Sequence, residues 1–313
     1  MVCSSRDTHG GTDMKKTLTK YQSVCVFGSL VAMNVLCYAM CNIFMARPVM
    51  FGNTSVGYCI GAVVLTLIGM FMLMSKKPIA YKVIGSVIGL AGVACFILPP
   101  ALGLPDIGFS LSMYNTADFL LFTPTYILSD VFSESFGYKA SRFSNNLTAA
   151  ITILINLIAK AVLFLPTGGT TPGSEAFSQI FSAGFYSSIL GVLIYVVGDF
   201  CNDRAFRFLK NVTGDGSHGY SVRSVLSSMA GKIPDVALFS ILVFIPFNND
   251  TFCKFFGMEN WGMSAMDIIS NGIVGFTFQI VIEIIFVPVS FLAARWIKNH
   301  LDPETIELIQ TRE

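Results

Sequence analysis

Long apolar segments separated by short polar connections dominate this chain. Each segment is close to or longer than the roughly 20 residues that a helix needs to cross the hydrocarbon core of a bilayer. The pattern predicts an all-α polytopic membrane protein with about eight transmembrane helices, the first of which is too long for a secretory signal peptide. The segments lie at 21–46, 51–74, 83–104, 116–136, 145–166, 180–203, 224–247 and 265–294.

Positive charge is distributed unevenly among the connections. With the N-terminus placed inside, 16 of the 20 Lys and Arg residues fall in inside segments, and only Arg47 and Lys254 fall in outside loops. Cytoplasmic segments of membrane proteins carry such an excess of Lys and Arg. The distribution therefore predicts an even number of helices, with both termini in the cytoplasm.

The composition agrees with a membrane protein and argues against a nucleic-acid-binding, metal-binding or disulfide-stabilised protein. The chain is 53% hydrophobic and 12% charged, whereas soluble domains are about 25% charged. A net charge of +1 gives no reason to expect a nucleic-acid partner. The three histidines are far apart in polar segments, and seven of the eight cysteines fall in the N-terminal tail or in apolar segments. We therefore predict no metal site, no disulfide framework and no cofactor.

The segment Phe122–Arg142, FTPTYILSDVFSESFGYKASR, is the most polar of the apolar segments. Asp130 and Glu134 are four residues apart, so a helix places them on one face, with Tyr126 one turn earlier. Pro124 removes a backbone donor where these polar side chains begin. Such a helix is poorly suited to contact lipid and well suited to line a cavity.

Other ionisable residues also fall within the apolar segments, where their burial is costly and a functional role is the first expectation. Lys232 and Asp235 are three apart and share a helix face, so an internal ion pair is one reading. Lys160 is close enough to the end of its segment to reach the interface. Glu283 has no partner nearby in sequence, which favours a cavity. The embedded set is Asp118, Asp130, Glu134, Lys160, Asp199, Lys232, Asp235 and Glu283.

Buried carboxylates of this kind suit two chemistries. Their paired oxygens accept hydrogen bonds from guanidinium groups or from the N1–H and amine edge of a guanine-like base. A desolvated carboxylate can alternatively carry a proton across the membrane. Nearby aromatic rings could stack on a flat ligand, although membrane-core packing explains most of the 28 Phe residues. The candidate rings are Phe119, Phe122, Tyr126 and Phe278.

Four segments together resemble the queuosine-precursor transporter family of vitamin-uptake-like proteins. Phe122–Arg142 is similar to that family's F-P-x-T-Y-x-x-x-D-x-x-x-E-x-Y-G-x-x-x-A-R signature, and this likeness is the most specific of the four. GDFCNDRAFRFLK (198–210), RSVLSSMAGKIPDVALFSILVF (223–244) and EIIFVPVSFLAARWIK (283–298) follow in the family's order. The resemblance covers about residues 116–298.

The resemblance implies import of a 7-deazaguanine base, namely the cyano or aminomethyl precursor of queuosine or queuine itself, for tRNA modification. It implies a multi-pass protein of the cell inner membrane with a six-helix core, and substrate and lipid bilayer as its partners. The expected organisation is a cytoplasmic tail (1–20), two additional helices (21–81), the transporter core (82–298) and a second cytoplasmic tail (299–313). The implied substrate-binding residues are Thr125, Tyr126, Asp130, Glu134, Asp199, Asn202, Asp235, Gln279 and Glu283.

Several of these positions depart from the family pattern. Asp199 stands where Gln is usual, and Asn202 stands where Asp is usual. Lys232 replaces a Gln, and Gln279 stands where Lys is common. These exchanges of charge and amide indicate a rearranged site and leave the exact substrate open.

Two further functions remain open at the level of sequence. One is a membrane subunit that binds a planar vitamin-like heterocycle for a separate energising module, since no nucleotide-binding motif occurs in the chain. The other, more remote, is an intramembrane aspartyl-type enzyme, in which Asp130 and Asp235 would share a proton. We predict that the protein is not an enzyme, and association with a second copy or an energising partner is open.

Overall fold

The computed structural model describes residues 20–45, 54–111, 118–163, 174–214, 216–256, 260–304 and 307. The described chain is almost entirely helical. Its only strands, within those residues, are β1 and β2, which pair antiparallel with Thr54 opposite Leu111. The elements are α1 (Lys20–Met45), β1 (Thr54–Ser55), α2 (Val56–Leu73), α3 (Ile79–Leu102), β2 (Ser110–Leu111), α4 (Asp118–Phe136), α5 (Tyr138–Leu163), α6 (Ser174–Thr213), α7 (Ser217–Phe239), the π-helical turn Ser240–Phe244, α8 (Ile245–Phe247), α9 (Asp250–Phe256) and α10 (Ala265–His300).

Five helical segments are long and apolar enough to cross a membrane, which confirms the prediction of a largely helical multi-pass protein. These segments are Val56–Leu73, Ile79–Pro100, Tyr138–Val162, Ser217–Phe247 and Ala265–His300. The helices α1, α4 and α6 lie at three further predicted spans. The total of eight spans, the domain limits and the cytoplasmic placement of both ends remain predictions.

Helix α10 lies at the centre of the bundle. All eight residues of Thr277–Ile284 are buried, which requires neighbours on every side of the helix. Those neighbours include α1, α2, α4 and α7. A capping box at Ser264 and Asp267 begins the helix, which satisfies free backbone donors of its first turn. Polar residues on the middle of α10 are consequently directed at other helices rather than at lipid.

Small residues allow α2 and α3 to pack closely. A methyl group on Gly69 would lie 2.5 Å from the Cα of Gly89, and one on Gly85 would lie 2.5 Å from the Cβ of Met72. Both distances are shorter than atoms tolerate. The two helices therefore approach along these glycines.

The connection between α6 and α7 is much shorter than the sequence predicts. The sequence predicts a polar connection of about twenty residues from Arg204 to Arg223, because its core NVTGDGSHGY has the Gly, Asp and Ser content of a flexible loop. In the structure, α6 continues to Thr213 and α7 begins at Ser217. Gly214 has a φ of 67°, a conformation that ends a helix at little cost only for glycine. The expectation was wrong because the polar residues before Gly214 extend α6 beyond its apolar segment.

Helices α6 and α7 approach each other closely at Gly198 and Gly231. A methyl group on Gly231 would lie 2.7 Å from the carbonyl oxygen of Gly198 and 2.9 Å from the Cβ of Asn202. One on Gly198 would lie 2.7 Å from the hydroxyl of Tyr126. This contact fixes the distance between two helices that carry candidate site residues.

Gly231→Ala is expected to destabilise the folded protein by about 1–3 kcal/mol, because backbone must move to accept the methyl group. Gly191→Ala is the matched control on α6, where no described atom lies within 4 Å of the added carbon. Denaturation of both variants in detergent micelles measures the difference. Equal stability of the two variants would contradict the close contact.

Candidate functional site

Asp130 lies at the centre of a buried polar cluster formed by α4, α6 and α7. Its Oδ1 accepts a hydrogen bond from Asn202 Nδ2 at 3.4 Å, and its Oδ2 accepts a short hydrogen bond from the Ser224 hydroxyl. All three side chains are buried. Both partners are neutral, so they stabilise the carboxyl group by hydrogen bonding and not by opposite charge. The group is thus held in a fixed position by two neutral donors.

A second carboxyl group, Asp199, joins α6 to α4 and α5. Its Oδ1 accepts hydrogen bonds from Asn145 Nδ2 at 2.8 Å and from the Ser129 hydroxyl at 3.3 Å. Asn145 also donates to Ser129 at 3.1 Å. Asp199 is therefore bonded to the residue that precedes Asp130 on α4.

Glu134 lies one turn beyond Asp130 on α4 and makes two ion pairs. Its Oε2 is 2.8 Å from Arg223 Nη2, and its Oε1 is 2.7 Å from Lys298 Nζ. Arg223 also donates to the carbonyl oxygen of Gly214 at the end of α6. These contacts connect α4, α6, α7 and α10 at one end of the cluster. Both oxygens of Glu134 are occupied by cations of the protein in this structure.

At the other end of the cluster, Lys232 on α7 forms an ion pair with Glu283 on α10. The ammonium group also donates to the carbonyl oxygen of Gln279 at 3.4 Å and lies 5.3 Å from the centre of the Tyr126 ring. Lys232 and Glu283 are both almost inaccessible to solvent. The structure buries Glu283 among the helices, and the cavity position that the sequence favours for it remains a prediction. Lys232 is the ion-pair partner that the sequence alone did not supply.

Several buried polar atoms around this ion pair have no hydrogen-bond partner in the described part of the chain. Leaving such an atom unpaired in the interior costs about 1–3 kcal/mol, and native proteins tolerate few of them outside functional sites. Three of these atoms, Asn202 Oδ1, Gln279 Oε1 and Glu283 Oε1, are acceptors only. The hydroxyls of Tyr126 and Ser228 can accept or donate, and Arg223 Nε at the far end of the cluster is a donor. The group is therefore suited to a ligand rich in N–H donors.

The remaining predicted residues, Thr125 and Asp235, are half-buried. Asp235 lies close to Tyr126, because a methyl group added to Gly198 would be 3.4 Å from the Asp235 Cβ and 2.7 Å from the Tyr126 hydroxyl. Thr125 precedes Tyr126 on α4 and has contacts of its own. The four aromatic rings proposed to stack on a ligand differ in their positions. Tyr126 lines the polar cluster, whereas Phe278 packs in an apolar core. The side chains of Phe119 and Phe122 lie outside the described residues.

The structure gives a physical reason for two of the departures from the family pattern. Lys232 is hydrogen-bonded to the backbone of residue 279, so a lysine at either position places an ammonium group near Glu283. Exchanging Lys and Gln between the two positions thus keeps a cation beside this carboxylate. Asn202 donates to Asp130, which an aspartate carboxylate could not do.

Sequence reasoning missed the neutral donors of the site. Ser224, Ser129 and Asn145 all bond to buried carboxyl groups, but none was proposed. Ser224 follows Arg223 within a family-like segment, and that neighbourhood was the available signal. No sequence signal pointed to Asn145, because its partner Asp199 is 54 residues away along the chain.

A multi-pass membrane protein with acceptor-rich polar groups enclosed among its helices has the architecture of a small-molecule transporter. The family model described as "Putative vitamin uptake transporter" matches residues 116–293, which is more than half of the 313 residues. The chain belongs to this family. The match includes all nine predicted site residues and begins just before α4. Comparison with curated proteins and with solved structures gave no match.

Proposed function

We propose that this transporter imports a 7-deazaguanine base, either a queuosine precursor or queuine, across the cell inner membrane for tRNA modification. The proposal rests on the unpartnered acceptors around Tyr126, Gln279 and Glu283, taken with the signature at Phe122–Arg142. A deazaguanine presents a flat ring and an edge of N–H donors, which complement a cluster of carboxylate and amide oxygens. Membership in a vitamin uptake family supports the transport of a small planar molecule.

In the proposed binding mode, the end of the cluster at Glu283 contacts the base, and the end at Glu134 joins the helices. Glu283, Gln279 and Tyr126 offer acceptor atoms that have no partner among the described residues, so they are proposed to contact the base directly. Asp130 and Asn202 form the adjoining wall and present Asn202 Oδ1. Asp199, Thr125 and Asp235 complete the set at its edges. Glu134 contributes by joining the helices, since its two oxygens already bind Arg223 and Lys298.

The direct test is uptake in a host that can neither make nor import queuosine precursors. Each base is supplied separately, at a concentration too low for passive entry, and queuosine in tRNA is read on a boronate gel. We expect a shift that requires this protein, and the base that produces it identifies the substrate. Absence of a shift with every base, while the protein is present in the membrane, would overturn the proposed substrate class.

Tyr126→Phe is expected to reduce uptake about tenfold without destabilising the protein. The hydroxyl is buried and has no hydrogen-bond partner in the part of the chain that the structure describes. Its removal therefore costs the fold no hydrogen bond seen there, whereas a substrate bonded to it would lose one. Tyr81→Phe on α3, where Tyr81 is exposed, is the matched control. Initial uptake rates and melting temperatures measure the two effects. Normal uptake by Tyr126→Phe would remove this hydroxyl from the binding site.

A further inference from the structure

A cavity lies between the C-terminal half of α6 and the junction of α4 with α5. Its volume is about 390 Å³, which is within the range of small-molecule sites. None of its lining residues belongs to the nine predicted site residues. Those that matter here are Ser133, Tyr138, Asp203, Phe206, Arg207 and Lys210.

Asp203 is the distinctive residue in the wall of this cavity. Its side chain is only 2% exposed, and its Oδ2 has no hydrogen-bond partner among the described residues. An unsatisfied buried carboxyl oxygen is costly for the protein alone and favourable for a ligand that donates to it. Asp203 lies one helical turn after Asp199 on α6. The cavity therefore lies about one helical turn further along α6 than the Asp199 part of the polar cluster.

The charges around the cavity restrict what it can hold. The lining carries one carboxylate, Asp203, and two basic side chains, Arg207 and Lys210. The excess of positive charge disfavours a cation, and the Asp203 carboxylate in the wall disfavours an anion. The Arg207 guanidinium is 5.3 Å from the centre of the Tyr138 ring, and Phe206 supplies a second ring to the wall. A neutral, flat molecule with N–H donors fits these conditions. The basic residues nearby also belong to the set that predicts the cytoplasmic side of the membrane.

We infer that this cavity is an exit site, where the transported base binds to Asp203 before release into the cytoplasm. The inference rests on the proposed function, and it adds a second site with its own selectivity. The exit site takes a neutral donor-bearing base, so the cyano base binds there in preference to the aminomethyl base, whose amine is protonated at neutral pH. Substrate passes from the acceptors near Glu283, along α6, to Asp203.

The inference is tested with right-side-out and inside-out membrane vesicles that contain the full chain. Exchange of labelled base is measured from each face for the wild type, Asp203→Asn and the control Asp106→Asn, where Asp106 is exposed. Asp203→Asn is expected to raise the KM for the cytoplasmic face about tenfold and to leave the KM for the outer face unchanged. The control should match the wild type at both faces. Asp203→Asn keeps the size of the side chain and removes a buried charge whose Oδ2 has no hydrogen-bond partner among the described residues, so it should not impair folding.

Competition on the wild-type protein supplies a second readout that needs no variant. At the cytoplasmic face, unlabelled cyano base should displace the labelled base at lower concentration than aminomethyl base does. Equal KM changes at the two faces, no change at either face, or preference for the aminomethyl base would each overturn the exit site. A wild-type protein that exchanges no base at all would instead overturn the proposed function, and the exit site with it.

Discussion

Glu134→Gln is expected to lower the free energy of unfolding by about 3–5 kcal/mol, because it leaves the buried cation Arg223 without its carboxylate. Arg223 is 1% exposed and lies 2.8 Å from Glu134. Its second hydrogen bond, to the Gly214 carbonyl, supplies no charge. The ion pair also joins α4 to α7, so the loss should affect packing of both helices.

Lys298→Gln is the matched control for this prediction. Lys298 binds the other oxygen of Glu134 but is 40% exposed, so water replaces much of the interaction and the expected loss is about 0–1 kcal/mol. Denaturation of the purified variants in detergent micelles measures both values. If Glu134→Gln were no less stable than Lys298→Gln, burial of Arg223 would not control the strength of this network.

Lys232→Met is expected to have the second large effect, again about 3–5 kcal/mol, because it leaves Glu283 buried without a cation. Methionine has a similar length, so lost volume contributes little. The double variant Lys232→Met/Glu283→Gln removes both charges together and should recover most of the lost stability. Recovery of stability in the double variant would show that the single variant is destabilised by the unpaired charge of Glu283 and not by a packing defect.

A double-mutant cycle over wild type, both single variants and the double variant measures the coupling between Lys232 and Glu283. Additive losses would show that the two groups do not depend on each other, contrary to their ion pair in the structure. Uptake gives an independent readout. The stable double variant should still transport poorly, because Glu283 is proposed to accept hydrogen bonds from the base.

The face shared by Asp130 and Glu134 could be predicted, because helical spacing alone determines it. The partners of these two carboxylates could not be predicted. Ser224 is 94 residues from Asp130, and Lys298 is 164 residues from Glu134. No local pattern links such positions, since the contacts depend on which helices are neighbours and on their relative height.

The sequence also left the partner of Lys232 open. Asp235 shares its helix face, and an ion pair between them was one reading. The structure places Lys232 against Glu283, 51 residues away, because α7 and α10 pack together. The connection between α6 and α7 was misjudged for a different reason: polar residues at a helix end resemble those of a loop.

By itself, the sequence determined that this is a helical membrane protein of a vitamin uptake family with one unusually polar helix, α4. Apolar length and helical spacing are local properties, and the family signature lies within one short segment. Only the tertiary structure decided which carboxylates bind cations of the protein and which polar atoms remain unpaired. Those outcomes depend on contacts between α4, α6, α7 and α10, because a helix pattern specifies a polar face but does not specify the side chain opposite it.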